Sequence, residues 1–580
     1  MIKELQKCIR EYKKPSLMSP ILVSLEVVME CTIPFLIAML VNQIKAGAEF
    51  LVLLKYGLLL VVMALLSLSF GIGAGYACAT ASCGFAKNVR KDLYYKIQGF
   101  SFENIDKFSS SSLVTRLTTD VTNVQNAYMM IIRIAIRAPL MFLFAFIMAF
   151  VMGGKMACIF LLVVPILGLG LFVVIRTTMP LFHKVFKKYD ALNNSIQENV
   201  KGIRVVKSYV REEYEKEKFG YAAEDVCRDF TKAEKILAWN NPMMQFCLYT
   251  VMIFVLSFGS YTIITSRGLD LDVGQFSALL TYSFQILSSL MMLSMVFVMV
   301  TMANESAHRI VEVLKEESTL TNPKNPVYEV ADGSVDFENV SFRYSKKAKR
   351  KALADINLHI KSGETIGIIG GTGSSKSSLV QLIPRLYDAT EGCVKVGGVD
   401  VRDYDIESLR NQVAVVLQKN ILFSGSIIDN LRWGKEDADE AEMKEACELA
   451  QADEFIMQFP KQYESYIEQG GANVSGGQKQ RLCIARALLK KPKVLILDDS
   501  TSAVDTKTDA MIRKAFKEYI PETTKIIIAQ RISSVEDADK ILVMDGGTIQ
   551  AVGTHEELLR ENHIYQEVYA SQNKGGGEDA

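Results

Sequence analysis

Long apolar runs fill the first half of the sequence, whereas the second half alternates short apolar runs with polar ones. The hydrocarbon core of a bilayer is about 30 Å thick and is crossed by roughly 20 helical residues. Six apolar runs are long enough, at residues 20–44, 53–82, 128–152, 157–179, 243–266 and 276–303. The pattern therefore predicts an all-α polytopic membrane domain with six transmembrane helices.

Lysine and arginine are spread unevenly around these runs. Residues 1–18 hold five of them and the connections 83–127 and 180–240 hold six and twelve, whereas every other connection between two runs holds one. Because basic residues accumulate on the cytoplasmic side, the N-terminus, both long connections and the C-terminal half are predicted to be cytoplasmic. Both long connections keep a helical apolar periodicity, which predicts helices that continue beyond the bilayer.

The pattern changes after the membrane domain, which is predicted at 19–307 behind an amphipathic cytoplasmic segment at 1–18. Residues 308–332 are polar and contain two prolines, as expected of a linker. Short β-rich runs then alternate with helical ones over 333–571, which is typical of an α/β domain with a largely parallel sheet. Residues 572–580 are rich in glycine and acidic residues and are predicted to be disordered.

Composition narrows the function classes. The 65 basic and 65 acidic residues give a formal net charge of zero, so no basic field is available to hold nucleic acid. The ten cysteines show no CxxC pairs or regular spacing, and therefore indicate neither a zinc site nor a disulfide framework.

A glycine-rich loop lies between an apolar strand pattern and a helical run in the α/β domain. Backbone amides of such a loop cradle the β-phosphate of a nucleotide, Lys376 neutralises the β- and γ-phosphates, and the Ser377 hydroxyl ligates Mg²⁺. A glycine usually precedes this lysine, but here the residue is Ser375, which strains a tight loop by about 1 kcal/mol. For the loop alone, a glycine- and serine-rich turn with a chance lysine is the alternative. The predicted ATP-binding residues of the loop are Gly370, Gly371, Thr372, Gly373, Ser374, Ser375, Lys376, Ser377 and Ser378.

A second apolar run, 494–497, ends in Asp498 and Asp499. Downstream of a phosphate loop, Asp498 is placed to hold Mg²⁺, and Asp499 stands where a catalytic base or water-orienting carboxylate is needed. Taken alone, the run is better interpreted as a core strand with polar residues at its exit.

A third motif, Ser475, Gly476, Gly477 and Gln478, opens another helical run. A helix start of this kind offers backbone N–H groups and a helix dipole to a phosphate, but no lysine. Because the domain already has one nucleotide loop, this second end serves a nucleotide elsewhere. Two domains arranged head to tail would place each nucleotide between the loop of one and the Ser-Gly-Gly end of the other.

These motifs closely resemble those of ABC ATPases, and with the six apolar runs they resemble a type IV, B-family-like ABC half-exporter over roughly residues 15–570. The resemblance implies that Tyr344 stacks on adenine, that Gln418 contacts Mg²⁺, and that Asp505 lies in the loop linking the two nucleotide sites. It also implies that stretches 108–121 and 202–212 contribute coupling helices. The cofactors that the resemblance implies are ATP and Mg²⁺.

Two residues depart from the family pattern. The catalytic carboxylate is usually Glu but here is Asp499, and the switch residue is usually His but here is Gln530. Aspartate withdraws its carboxylate from the attacking water, and a positioning error near 1 Å costs about 100-fold. Glutamine carries no titratable proton. The sequence predicts a site that holds ATP and hydrolyses it slowly.

The Ser475–Gln478 motif matches the signature motif of ABC ATPases and is intact. Together with the altered Asp499 and Gln530, it makes the chain resemble the degenerate-site subunit of bacterial heterodimeric exporters. The expected partner is a second half-transporter with Glu and His at the positions of Asp499 and Gln530. A homodimer with two weakened sites and an ATP-gated regulatory or channel-like subunit are the alternatives. The expected activity is export of an amphipathic drug, lipid or small peptide across a plasma membrane, specifically a bacterial inner membrane.

Two features of the membrane runs bear on that substrate. Met291, Met295, Met299 and Met302 share one helix face, which suits varied apolar ligands or ordinary packing equally. Glu30 is expected to pair with an arginine of the third run, because charge inside a membrane is usually paired.

Overall fold

The computed structural model describes residues 1–574 except 268, 346–347 and 500–502. The chain forms two compact units, Met1–Gln98 with Ser109–Glu316 and Gly99–Phe108 with the chain from Glu317 onward. In chain order the helices before the second unit's main body are α1 Ile2–Lys7, α2 Lys13–Lys45, α3 Phe50–Gln98, α4 Phe102–Phe108, α5 Ser110–Thr115, α6 Val121–Gly153, α7 Cys158–Lys201, α8 Ile203–Ser208, α9 Glu212–Leu237, α10 Asn240–Thr265 and α11 Val273–Lys315.

Among the described residues, five helical stretches are long and apolar enough to cross a membrane. One of them, Ser110–Phe182, contains α6 and the beginning of α7, which are joined by the short turn Gly154–Ala157. The count of six transmembrane helices stays a prediction. At 1.5 Å per residue, the 49 residues of α3 extend about 70 Å, well beyond a bilayer. The two long connections are largely helical, as their periodicity predicted.

Small side chains allow the helices of the first unit to pack closely. Ala74, Ala145 and Ala149 are fully buried. A Cβ at Gly274 of α11 would lie only 2.1 Å from the Ala38 carbonyl oxygen of α2, so only glycine permits this approach. Fully buried Asp120 accepts a hydrogen bond from Arg309 Nε at 2.8 Å, which joins the turn before α6 to α11.

The described residues of the second unit form three sheets. Its strands are β1 Val335–Phe342, β2 Leu353–Ile360, β3 Thr365–Gly370, β4 Glu391–Val396, β5 Val399–Asp400, β6 Val413–Val416, β7 Gly425–Ser426, β8 Tyr466–Ile467, β9 Val494–Asp498, β10 Thr524–Ile528, β11 Lys540–Asp545 and β12 Thr548–Gly553. The main sheet has the order β12-β11-β3-β10-β9-β6 and is parallel except for β12. An antiparallel sheet has the order β2-β1-β4-β5, and β7 pairs with β8.

Short helices surround these sheets. They are α12 Lys376–Gln381, α13 Ile406–Gln412, α14 Ile427–Leu431, α15 Glu440–Leu449, α16 Asp453–Ile456, α17 Gly476–Leu488, α18 Thr506–Tyr519, α19 His555–Glu561 and α20 His563–Lys574. The parallel strands β3 and β9 are adjacent to β10 and end at the same edge of the sheet. This edge is where an α/β sheet places its ligand.

Element ends differ from the sequence prediction at two places. α11 continues through the start of the predicted linker to Lys315, because Ile310, Val311 and Val313 bury apolar side chains there. α20 continues to Lys574, so 572–574 are helical rather than disordered. Residues 575–580 of the predicted disordered tail lie outside the described residues.

One segment from the first half of the sequence belongs to the second unit. Phe102 of α4 packs edge-on against Tyr387 at 6.0 Å between ring centroids, and the Tyr387 hydroxyl donates to Asp106 Oδ2 at 2.7 Å. Asn104 donates to the Glu317 carbonyl at 3.1 Å. The stretch 108–121, which is predicted to contribute a coupling helix, begins at the last residue of this segment and continues in the first unit.

Candidate functional site

The loop between β3 and α12 has the backbone conformation of a phosphate cradle. Gly373 has φ +83°, and Gly371 and Gly373 have open space where a Cβ would lie. Lys376 Nζ folds back over the loop and donates to the Gly370 and Gly371 carbonyls at 2.8 and 3.0 Å. Burial lowers the pKa of Lys376 from its usual value, although the nearby carboxylates of Asp498 and Asp499 act in the opposite direction. The ammonium is thus already held at the mouth of the loop.

Ser375 is the strained residue of this loop. Its φ is +69°, in the left-handed region that favours glycine, and it precedes α12 without capping it through its side chain. The preceding Ser374 is buried, while Gly371 and Thr372 are exposed. The conformation required by the loop therefore costs energy at the position where related loops use glycine.

The Ser377 hydroxyl lies beside the first carboxylate at the end of β9. Ser377 Oγ donates to Asp498 Oδ1 at 2.9 Å. Burial raises the pKa of Asp498, and the hydrogen bond from Ser377 acts in the opposite direction. Neighbouring hydroxyl and carboxylate oxygens are the hard ligands that Mg²⁺ prefers, so these residues fit a magnesium ion.

The second carboxylate, Asp499, is held by two amides. Gln530 Nε2 donates to Asp499 Oδ2 at 2.8 Å, and Gln418 Nε2 points to the same oxygen at 3.3 Å. Its backbone has φ +52° and its N–H donates to the Ile528 carbonyl at 3.0 Å. The structure therefore brings Gln418, Asp499 and Gln530 together at the end of the parallel strands.

Tyr344 lies next to the helix that follows the phosphate loop. Its hydroxyl is 2.7 Å from Ser378 Oγ, and its ring is 43% exposed. The ring contacts Tyr387 edge-on, with centroids 5.3 Å apart. An aromatic face is available for stacking, and the same Tyr387 contacts α4.

The Ser-Gly-Gly end forms a complete helix start at α17. Ser475 Oγ accepts from the Gln478 backbone at 3.3 Å, and the Gln478 side chain accepts from the Ser475 backbone at 2.9 Å. This reciprocal capping fixes the first turn. Ser475 and Gly476 are exposed, so the helix N-terminus faces outward from its own unit.

The loop before α18 contacts this helix start. Gln480 accepts a hydrogen bond from the Ala503 N–H at 3.1 Å, and a Cβ at Gly477 would lie 2.9 Å from the Ala503 carbonyl oxygen. Asp505 caps α18 by accepting from Thr508 N–H at 2.9 Å, and this bond lowers the pKa of Asp505. Ser502, the first residue of the predicted linking loop, lies outside the described residues.

Sequence reasoning missed one residue of the site. Gln572 of α20 donates to the Gln530 carbonyl at 2.8 Å and accepts from the Ile532 N–H at 2.9 Å. It therefore fixes the backbone of the loop that carries the predicted switch residue, Gln530, on both sides of Arg531. No local pattern signals this role, since the residue opens a stretch whose composition is typical of disorder.

A groove of about 330 Å³ lies beside the segment that carries Gln418. Its lining includes Phe423 and Trp433, whose rings stack with centroids 4.1 Å apart although both side chains are largely exposed. None of the lining residues belongs to α4. The groove is thus a partly apolar surface at the edge of the candidate site, with Lys419, Arg486 and Lys490 also in its lining.

Two protein-family models match the chain. Residues 16–290 match the model of the ABC transporter transmembrane region, and residues 353–502 match the ABC transporter model. An uncharacterized ABC transporter ATP-binding protein of Bacillus subtilis (strain 168), YfiB, is 36% identical over 98% of each chain. The chain belongs to the ABC transporters.

Two further relatives refine this assignment. The ATP-dependent lipid A-core flippase of Pseudomonas syringae pv. tomato is 33% identical, over 86% of this chain and 83% of its own length. A bacterial Atm1-family ABC exporter solved with ATP bound superposes with a TM-score of 0.82 and 23% identity, covering 98% of this chain and 99% of that one. The predicted fold, a helical membrane domain fused to an α/β nucleotide-binding domain, is confirmed. This ABC transporter is a multi-pass membrane protein that couples ATP hydrolysis to transport.

Proposed function

We propose that this ABC transporter is the degenerate-site half of a heterodimeric exporter, whose own loop holds ATP while its signature end completes the partner's hydrolytic site. The observation that carries the proposal is the state of Asp499. One of its carboxylate oxygens accepts from Gln530 and is approached by Gln418, so the oxygen is already engaged by amides. An aspartate is also one methylene too short to reach where a glutamate would.

Binding groups remain complete in this arrangement. Tyr344 would stack on adenine, the amides of Gly371–Ser375 and Lys376 would hold the phosphates, and Ser377, Gln418 and Asp498 would hold Mg²⁺. Magnesium supplies charge neutralisation on the β- and γ-phosphates. Asp499 would orient the attacking water only weakly, and Gln530 can donate a hydrogen bond to the γ-phosphate without exchanging a proton at neutral pH. Slow hydrolysis with retained binding follows.

The partner would see the other end of the same domain. Ser475, Gly476, Gly477 and Gln478 would present N–H groups and a hydroxyl to the partner's γ-phosphate. Asp505 and its loop would pass closure of one site to the other. We infer that the groove flanked by Phe423 and Trp433 receives a cytoplasmic segment of the partner's membrane domain.

The transported compound is proposed to be amphipathic, as the lipid A-core flippase relative suggests, and the membrane to be a bacterial inner membrane. The N-terminus and the nucleotide-binding domain would lie in the cytoplasm. These assignments also rest on the distribution of basic residues.

ATPase turnover of the purified chain, alone and co-expressed with a neighbouring half-transporter that carries Glu and His, tests the proposal. We expect the chain alone to be nearly silent and the pair to be active. Ser475→Ala in this chain should abolish most of the paired activity, whereas the exposed Lys461→Ala should not. Brisk turnover by the chain alone would instead support a homodimer in which Asp499 and Gln530 suffice.

A further inference from the structure

A polar cluster lies among the membrane-spanning helices. α2 contributes Glu26 and Glu30, α6 contributes Arg137, and α11 contributes Gln285. Glu26 lies about 20 Å from the start of α2 at 1.5 Å per residue, so the two carboxylates are near the middle of that helix. Charge at this depth is expensive and marks function more often than packing.

Arg137 joins the two carboxylates. Its Nη1 donates to Glu26 Oε1, and its Nη2 donates to Glu30 Oε1 and Oε2 at 2.8 and 2.7 Å. The pairing of Glu30 with an arginine of this helix matches the sequence prediction. One guanidinium between two carboxylates leaves a formal charge of −1 on the three side chains.

A second arginine does not remove this excess by direct contact. Among the described residues, Arg133 forms an ion pair with neither carboxylate; its Nη1 lies 3.5 Å from where a Cβ of Gly75 would be. Gly71, one turn earlier on α3, faces Glu26, whose Oε1 lies 3.1 Å from the corresponding Cβ position. The two glycines of α3 therefore leave room for a charged side chain of α2 and one of α6.

Two acceptor atoms of the cluster lack donors. Glu26 is only 7% exposed, and its Oε2 is shielded from solvent with no hydrogen-bond partner in the described part of the chain. Gln285 Oε1 is in the same situation, while its Nε2 donates to the Glu30 carbonyl at 3.5 Å. Buried polar atoms are nearly always paired, so the cluster requires a group that brings donors.

We propose that the cluster of Glu26, Glu30, Arg137 and Gln285 binds the protonated amine of a cationic amphipathic substrate. An ammonium group supplies three N–H donors and one positive charge, which match the unpaired oxygens and the excess negative charge. Met292 and Met295 follow Gln285 on α11 within about 15 Å and are exposed, so an apolar tail would find adaptable side chains there. The proposal deepens the proposed export of an amphipathic compound and is independent of how the two nucleotide sites divide their work.

A matched pair of fluorescent probes tests it. Dansylcadaverine carries a primary amine, and its N-acetylated form has the same apolar body without the charge. Anisotropy titrations would use the purified chain in phosphatidylcholine nanodiscs without nucleotide, with empty nanodiscs as the background. We expect the amine to bind at least tenfold more tightly than its acetylated form. Equal binding would mean that water satisfies the cluster and would overturn the proposal.

Substitutions at Gln285 sharpen the test because they leave the Glu26–Arg137–Glu30 pairs in place. Gln285→Glu adds a negative charge and should tighten amine binding about tenfold, whereas Gln285→Lys supplies its own ammonium and should abolish it. Glu26→Gln should weaken binding as well, and Glu49→Gln, on the exposed turn before α3, should leave it unchanged. If Gln285→Lys binds the amine like the unmodified chain, the proposal is wrong. Nucleotide turnover enters none of these readouts, so failure of the asymmetric-site proposal would be seen separately.

Discussion

The nucleotide-binding domain has two helix starts suited to phosphate, and they are built differently. α12 follows Ser375, which has φ +69° and provides no side-chain cap, whereas α17 follows Ser475, which has φ −68° and a reciprocal cap with Gln478. The first start is joined to Lys376 and the two aspartates by hydrogen bonds or proximity in sequence. The second start is exposed, and its first lysine, Lys479, comes three residues after the helix begins at Gly476.

The difference shows where the departures of this chain are concentrated. Ser375, Asp499 and Gln530 all lie at the site around the start of α12. The start of α17 keeps every feature of an unstrained helix start. The residues proposed to act on this chain's own nucleotide are strained or altered, whereas the helix start proposed to face a partner is regular. This contrast supports the proposed unequal division of work between two chains.

The largest effect is expected at the second end. Gly477→Val places a Cβ 2.9 Å from the Ala503 carbonyl oxygen, so the helix start and its neighbouring loop must separate. Displacement near 1 Å at a phosphate-contacting end should lower the ATPase rate of the pair roughly 100-fold. The rate should be measured with both chains present and with Lys461→Ala as the surface control. A rate within threefold of the unmodified pair would contradict the role of this end.

A gain of function is expected at the first end. Asp499→Glu combined with Gln530→His supplies the longer carboxylate and a titratable imidazole, and should raise hydrolysis at this chain's own site roughly tenfold. The measurement requires a partner whose catalytic glutamate is replaced by glutamine, so that only this site turns over. Gln530→His alone should gain less, because Asp499 remains too short. No gain from the double substitution would mean that another feature limits this site.

The smallest effect concerns Ser375. Ser375→Gly relieves a left-handed φ worth about 1 kcal/mol, which should tighten ATP binding about fivefold. Asn339→Gly is the matched control, because Asn339 also has positive φ, +49°, and lies on β1 away from the loop. Titration with a fluorescent ATP analogue would separate the two variants. Equal changes in both would show that the gain comes from the fold and not from the loop.

The strongest sequence signals were those in which pattern and chemistry coincide. Apolar strands ending at Gly370 and Asp498 could be predicted because buried parallel strands read as continuous apolar runs. β4, Glu391–Val396, has no such apolar run, since it mixes polar residues with Gly392 and buries only Val394 and Val396. The docking of α4 on Tyr387 and the contact of Gln572 with the switch loop depend on tertiary proximity, which no local pattern encodes.

In the site, too, some features could be predicted from the sequence and others depend on tertiary proximity. The resemblance assigned roles to Gln418, Asp499 and Gln530, but the approach of both glutamines to one Asp499 oxygen emerges only when β6, β9 and β10 are placed side by side. Likewise the exposure of Ser475 and the closeness of Gly477 to the loop before α18 depend on packing of α17 against the rest of the unit.

The central claim is that this chain's own site holds ATP and cleaves it slowly while the partner's site turns over. Photo-crosslinking with γ-labelled azido-ATP, during turnover of the pair, tests this directly because each chain can be separated and counted. The account predicts that this chain retains the γ-label after the partner has lost it. Loss of the label from both chains at the same rate would contradict the account.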